Sequence, residues 1–278
     1  MRYQELLERS QKERKTGLKS DQFFTRPEVA KQFAEWVKKQ PFYDKVETVI
    51  EPSAGNMDIA RHFPGADMYD LDPKHSGIKQ QDWLEYSHEG GKNVLVVGNP
   101  PFGKNNKLAI QFINKAAEFA EWIAFILPAG FKRPPTQYKI ADTHSLYSEL
   151  DLPEDSFYLP HESGGKSYRV PAVAQIWHRK PRKSEKVSYD SQWVKFVKPE
   201  EADVAIKRAS PAGRLDHDKS NWLNHTHRQY YYIKFLKDKN KVLEFIKNFD
   251  WMALSKQTVG APVISKYDVV YTVNKHLT

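Results

Sequence analysis

Short apolar runs alternate with amphipathic stretches along the first two thirds of the chain. Val46–Ile50, Ala66–Leu71, Asn93–Gly98 and Trp122–Leu127 have strand length. Val94-Leu95-Val96-Val97 is apolar on both faces, as a parallel strand buried between two layers must be. Between these runs, Val29, Phe33, Trp36 and Val37 share one helical face, and Leu108, Phe112, Ala116 and Phe119 share another within Lys107–Ala120. Thr25 and Glu28 have capping-box spacing, and Pro27 suits a first helical turn, so a helix is predicted to start there. Strand–helix alternation with fully apolar strands predicts an α/β fold, an open sheet wound on both faces. Such sheets bind ligands beyond the carboxyl ends of their strands.

After residue 130 the pattern loosens. Ala172–Trp177 predicts one further strand of the same sheet, and the basic, Pro-containing stretch Arg179–Lys186 has no periodicity and reads as a linker. Beyond it come a tyrosine-rich strand, Tyr230–Phe235, and helices over Lys241–Phe249 and Lys266–Leu277, the last capped by Ser265. The division expected is a domain over 1–180 and a smaller α+β unit over 181–278. Residues 1–19 predict an exposed helix.

Charge sharpens this division. The net charge of +8 over 278 residues splits into +3 for residues 1–20, −5 for 21–160 and +10 for 161–278. An acidic body with basic flanks fits a polyanion binder whose grip and chemistry sit on different parts; it equally fits a solubilising surface. Trp193 near Lys195, Trp222 near Arg228, and Tyr230, Tyr231 and Tyr232 near Lys234 are expected to serve phosphate contact and base stacking; a buried strand face with solvated lysines is the competing reading. The chain has no cysteine, which excludes disulfides, a thiolate nucleophile and the usual structural zinc sites. It has no run of about 18 apolar residues to span a membrane, and its charged N-terminus is not a signal peptide, so a cytoplasmic location is expected.

The strongest chemical signal is Asn99-Pro100-Pro101-Phe102, directly after the buried strand ending at Gly98. The prolines fix the backbone so that the Asn99 carboxamide oxygen and a proline carbonyl can both accept hydrogen bonds from one amino group. The amine of a base is flat because its lone pair is delocalised into the ring. Two acceptors aimed at its hydrogens pull it toward a tetrahedral shape and make it a nucleophile, while Phe102 stacks on the base. A second group of small residues, Glu51-Pro52-Ser53-Ala54-Gly55-Asn56, follows the first strand and lets a ligand approach the backbone closely. Acidic residues stand at Asp70 and Asp72 after the second strand and at Asp82, before Trp83.

These motifs resemble those of the S-adenosylmethionine-dependent amino-methyltransferases that modify adenine N6 or cytosine N4 in nucleic acid. The resemblance covers roughly residues 20–178 and implies a Rossmann-like methyltransferase sheet. It implies S-adenosyl-L-methionine as cofactor and Asn99, Pro100, Pro101 and Phe102 as the catalytic turn. It also implies a cofactor site of Phe24 and Thr25 near the methionine carboxylate, the loop Glu51, Ser53, Ala54, Gly55 and Asn56, Asp70 on the ribose hydroxyls, and Asp82 with Trp83 at the adenine. The family's usual second glycine, two residues after Gly55, is Met57 here, followed by Asp58. The motif order is that of the gamma class, with target recognition toward the C-terminus. It implies methyl transfer to adenine N6, in DNA before RNA, in a restriction–modification or phage setting.

Three further features are set aside. Gly164-Gly165-Lys166-Ser167 lacks the first glycine of a phosphate-binding loop, because residue 160 is proline. His217, His225 and His227 lack partners at ligand spacing, so no metal is expected. Phe131-Lys132-Arg133-Pro134-Pro135 is either a basic loop over the site or a solvated one. Two other functions remain open: a protein glutamine-N5 methyltransferase, whose amide nitrogen poses the same electronic problem, and a catalytically inactive nucleic-acid-binding relative.

Overall fold

A computed structural model describes residues 23–158, 167–168, 170–182, 188–209, 211–222, 229–256 and 262–277. The helix expected over 1–19, Gly164–Lys166, residues 183–186 of the expected linker, His225, His227 and Arg228 lie outside the described residues. The chain divides into two compact units, 1–184 and 185–278.

The first unit is built on seven strands: β1 (Thr48–Glu51), β2 (Asp67–Asp70), β3 (Lys79–Gln80), β4 (Val94–Gly98), β5 (Trp122–Pro128), β6 (Ser145–Asp151) and β7 (Ala172–His178). Their order across the sheet is β3-β2-β1-β4-β5-β7-β6. The first five are mutually parallel, and β7 runs antiparallel between β5 and β6. This is the mixed, mostly parallel α/β sheet expected, a Rossmann-like architecture. The interior strands β4, β5 and β7 are buried almost throughout, and their side chains feed two cores. Leu95, Val97, Ala124 and Ile126 pack on one face with Val29, Phe33 and Val37 of helix α1 (Pro27–Lys38). Val94, Val96, Ile123 and Phe125 pack on the other with Leu108, Phe112 and Ala116 of helix α2 (Lys107–Ala117).

The expected cap at Thr25 does not form. Arg26 occupies the N-cap of α1 without a side-chain bond, Pro27 opens the helix, and Thr25 is instead paired as a strand residue with Phe157. The strand β6 was not legible in the pattern. It is an edge strand with one neighbour, its residues alternate between half-buried and exposed, and acidic Glu149 and Asp151 sit on its open side. Phe131 is fully buried in a short turn, and Lys132 forms an ion pair with Asp151, so that stretch is a packed connection and not an open basic loop.

The second unit is a four-stranded antiparallel sheet, β8 (Val194–Phe196), β9 (Val204–Lys207), β10 (Leu215–Asp216) and β11 (Tyr230–Phe235), in the order β8-β11-β9-β10. One face packs Val194, Val204, Ile206 and Ile233 against Val242 and Ile246 of α3 (Lys239–Asn248), Trp251 of α4 (Trp251–Ser255), and Val269 and Val273 of α5 (Lys266–Leu277). The strand and the last helix occupy the expected bounds, and Ser265 and Asp268 cap α5 reciprocally. Ser265 Oγ accepts from the Asp268 N–H at 3.2 Å, and Asp268 Oδ2 accepts from the Ser265 N–H at 2.6 Å. Trp193, Trp222 and Tyr232, expected as stacking platforms, are buried at 6%, 3% and 6% exposure. Among the described residues no helix is long and apolar enough to cross a membrane.

Candidate active site

Parallel strands order their carboxyl ends along one edge, and that edge carries Glu51 on β1, Asp70 on β2 and Gly98 on β4. A cleft of about 840 Å3, including its open mouth, lies there. Phe24, Thr25, Glu51, Ser53, Ala54, Gly55, Asn56, Asp70, Trp83, Asn99, Pro100, Pro101 and Phe102 all line it. Asp82 is not among the lining residues. Its carboxylate accepts from the Leu84 N–H at 2.9 Å and caps a short turn, while its neighbour Gln81 reaches the cleft.

The loop after β1 hangs on the end of β2. Ala54 N–H donates to the Tyr69 carbonyl and Gly55 N–H to Asp70 Oδ2, both at 2.9 Å. Asp70 Oδ1 accepts from the Asp72 N–H at 2.9 Å, so both carboxylate oxygens brace backbone and each keeps lone-pair capacity. Burial pushes the Asp70 carboxyl above its ordinary range, against the pull of those two N–H donors. Asp72 is largely exposed and paired with Lys74. Gly55 sits at φ +49°, and a Cβ there would lie 3.2 Å from the Phe24 ring, so both conformation and space call for glycine. Met57, two residues on, adopts the same left-handed backbone at φ +62°. The loop shape is kept at a conformational cost of about 1 kcal/mol.

Glu51 is 2% exposed, and its Oε2 has no hydrogen-bond partner. Burial raises its carboxyl well above the ordinary range, partly offset by a bond from the Ala60 N–H, with nearby Asp58 and Asp70 adding to the rise. An unsatisfied carboxyl oxygen on a cleft wall is suited to a cationic or donor ligand.

The turn Asn99–Phe102 is tied to the elements around it. Ser53 Oγ donates to the Asn99 carbonyl at 3.3 Å, linking the two loops. Asn99 Nδ2 donates to the Phe23 carbonyl at 2.8 Å and to Thr25 Oγ1 at 3.1 Å, and Asn99 Oδ1 is buried without a partner. Phe102 is 3% exposed, stacked on Phe23 at 5.6 Å between ring centres and set edge-on to Phe157 at 5.7 Å. Trp83 is buried as part of the floor, its Nε1–H donating to the Phe112 carbonyl at 3.1 Å.

Tyr158 and Asp58 join the site without a local signal in the sequence. The Tyr158 hydroxyl donates to Asp58 Oδ2 at 3.0 Å and accepts from Asn56 Nδ2 at 3.2 Å, and Asp58 pairs with Arg61 at 3.2 Å. Burial raises the carboxyl of Asp58, against the bond from Tyr158 and the charge of Arg61. Tyr158 stands beside Phe24 in a ribbon of residues 24–25, 157–158 and 167–168. Its separation of about a hundred residues from the loop left no local signal. Among the described residues no group of His, Cys, Asp and Glu could hold a metal ion.

Residues 58–186 match the family described as the EDM2 methyltransferase-like domain. A stretch of 127 residues is 30% identical to Protein ENHANCED DOWNY MILDEW 2 of Arabidopsis thaliana, covering 40% of this chain and 9% of that protein. The chain is therefore similar to a small part of that relative. Among solved structures, a proposed RNA methyltransferase, PH1948 of Pyrococcus horikoshii, aligns at 16% identity and TM-score 0.44, covering 57% of this chain and 87% of that one. A proposed class I S-adenosylmethionine-dependent methyltransferase of Listeria monocytogenes aligns at 14% identity and TM-score 0.45 over 62% and 65%. The 23S rRNA methyltransferase ErmE aligns at 15% identity and TM-score 0.38 over 59% and 72%.

Proposed function

We propose that this protein is an S-adenosyl-L-methionine-dependent methyltransferase acting on the exocyclic amino group of a nucleic-acid base, N6 of adenine in DNA. The observation that carries this reading is the Asn99 carboxamide. Both hydrogens of its nitrogen are taken by Phe23 and Thr25, while its buried oxygen has no partner and would be free to accept from an amine brought into the cleft. The match of residues 58–186 to a methyltransferase-like domain supports the reaction class.

The chain's own residues fit the cofactor. When bound, it supplies an electrophilic methyl group on a sulfonium. The small residues Ser53, Ala54 and Gly55 would admit it close to backbone, Asp70 would offer its remaining lone pairs to the ribose hydroxyls, and Glu51 would take the cationic methionine end. Asn99 and a carbonyl of the Pro100-Pro101 turn accept from the target amine and localise its lone pair. The methyl group would come from the bound cofactor, and Asn99 with the proline carbonyl would hold the amine nitrogen in line for it while the amine gives up its proton to water. Gln81, in place of Asp82, is positioned for the adenine end of the cofactor. Phe102 has too little free surface to be a full stacking platform while Phe23 covers it, so its part is to hold the turn.

The second unit is proposed to grip the nucleic acid. On its outer sheet face Lys195 lies directly opposite Lys234, and the Lys207 N–H bonds the Arg214 carbonyl across the β9–β10 pair. Among the described residues none of these four has an ion-pair partner, and like charges set opposite each other cost stability unless an anion is bound. Transfer of labelled methyl to DNA, RNA and protein in parallel tests the reading. Label in DNA at N6-methyladenine is the expected result, label in RNA alone moves the substrate, and label in protein alone overturns the nucleic-acid assignment.

A further inference from the structure

The Asn99 carboxamide can serve an amine only in one of its two orientations. With Oδ1 toward the cleft it accepts; rotated by half a turn it would present N–H to N–H and repel the same amine. The Phe23 carbonyl, which can only accept, and the Thr25 hydroxyl take both hydrogens of Asn99 Nδ2, at 2.8 and 3.1 Å. Thr25 is 3% exposed and is held in register against Phe157, and the Arg26 N–H is bonded to the Ser156 carbonyl at 3.0 Å. The acceptors are therefore fixed by a ribbon that belongs to neither the cofactor loop nor the catalytic turn.

We infer that Thr25 is a positioning residue for catalysis: its hydroxyl, with the Phe23 carbonyl, locks the Asn99 amide so that its oxygen faces the substrate amine. This rests on the amino-methyltransferase reading above, and it gives Thr25 a role other than the cofactor contact that its motif implies. Donating both hydrogens also polarises the amide and makes its oxygen a stronger acceptor.

The test compares the full-length chain with Thr25→Val, which keeps the shape and removes the acceptor, and Thr25→Ser, which keeps the hydroxyl. Three quantities are read: kcat for methyl transfer to DNA lacking N6-methyladenine, the cofactor Kd by calorimetry, and the side-chain amide resonance of Asn99 in 15N-labelled protein, assigned by its loss in Asn99→Asp. Thr25→Val is expected to lower kcat about tenfold, the worth of one hydrogen bond of roughly 1.4 kcal/mol. Its cofactor Kd should stay within about twofold, its Asn99 amide protons should exchange faster, and Thr25→Ser should restore all three. A Thr25→Val protein whose Kd rises while kcat at saturating cofactor is unchanged overturns the inference in favour of a cofactor ligand. So does an unchanged Asn99 resonance. If the wild type methylates no nucleic acid, the functional reading fails, and the amide resonance still decides the lock.

Discussion

At the scale of single residues, the site depends on where unsatisfied oxygens are left. Asn99→Ala removes the unpartnered buried side-chain oxygen of the Asn99–Phe102 turn and no hydrogen bond of the loop over residues 51–56. Methyl transfer should fall about a hundred- to a thousandfold, by analogy with the loss of one oxyanion-hole donor, with cofactor affinity nearly intact by calorimetry. Asp70 and Asp72 stand two apart but differ in role. Asp70 braces the loop through both oxygens, whereas Asp72 is solvated and paired with Lys74. Asp70→Ala should weaken cofactor binding by about 1.5–3 kcal/mol, and Asp72→Ala should leave it close to the wild-type value.

Glu51 carries a pH signature. Its carboxyl is raised by burial in the folded chain, so between its unfolded and folded values the native state binds the extra proton. Stability of the cofactor-free protein should therefore fall as pH climbs from the ordinary carboxylate range and level off above the raised value. Asp58 and Asp70, also raised by burial, tilt the curve the same way. Thermal melts of Glu51→Gln across pH 4–8 should show a shallower fall than wild type. A variant that melts with the wild-type slope would remove Glu51 from this account.

At the scale of elements, the sharp exit from β4 is held by its glycine as much as by its prolines. Gly103 follows Phe102 at φ +66°, and a Cβ there would lie 2.8 Å from Leu108 Cβ and 3.1 Å from the Leu108 nitrogen. Asn105 and Asn106 continue the turn in left-handed backbone at φ +55° and +62°, a region asparagine tolerates better than most residues. The turn thus closes on the first residues of α2 with no room to relax. Gly103→Ala should destabilise the protein by about 2 kcal/mol or more through combined strain and overlap, read as a lowered denaturation midpoint. It should also cost activity, because the same turn aims Asn99.

At the scale of the whole molecule, the positive charge is divided differently from the first expectation. Of the +10 carried by residues 161–278, +5 belongs to 161–184, within the first unit, and +5 to 185–278. Part of the former is structural: Arg179 donates to the Ala117 and Ala120 carbonyls at the end of α2, and Arg182 to the carbonyls of Gln137 and Ile140. The grip proposed for the second unit therefore rests on the arrangement of Lys195, Lys234, Lys207 and Arg214, more than on a large net charge. Lys234→Glu turns a like-charged cross-strand pair into an opposite one. Stability should hold or rise by about 0.2–1 kcal/mol, while DNA affinity drops and its salt dependence flattens by roughly one to two phosphate contacts. Unchanged salt dependence in a titration would remove this face from the interface.

The sequence by itself determined the buried strands, because runs such as Val94–Val97 and Ile123–Leu127 are apolar on both faces and have no stable place except between two layers. It also marked the two loops after β1 and β4, whose glycine and prolines restrict the backbone locally. The alternating, half-polar edge strand β6 was illegible because one neighbour and one buried face leave only a weak pattern. Tertiary structure alone decided which side chains meet. It withdrew Asp82 to cap a turn, buried Trp193 and Trp222, brought Tyr158 onto Asn56 and Asp58 in the loop after β1 and set Thr25 against Asn99 in place of capping α1. Local sequence fixes backbone preference within a few residues. The direction in which a carboxamide points is set by acceptors 74 and 76 positions away, which only the folded chain brings within hydrogen-bonding distance.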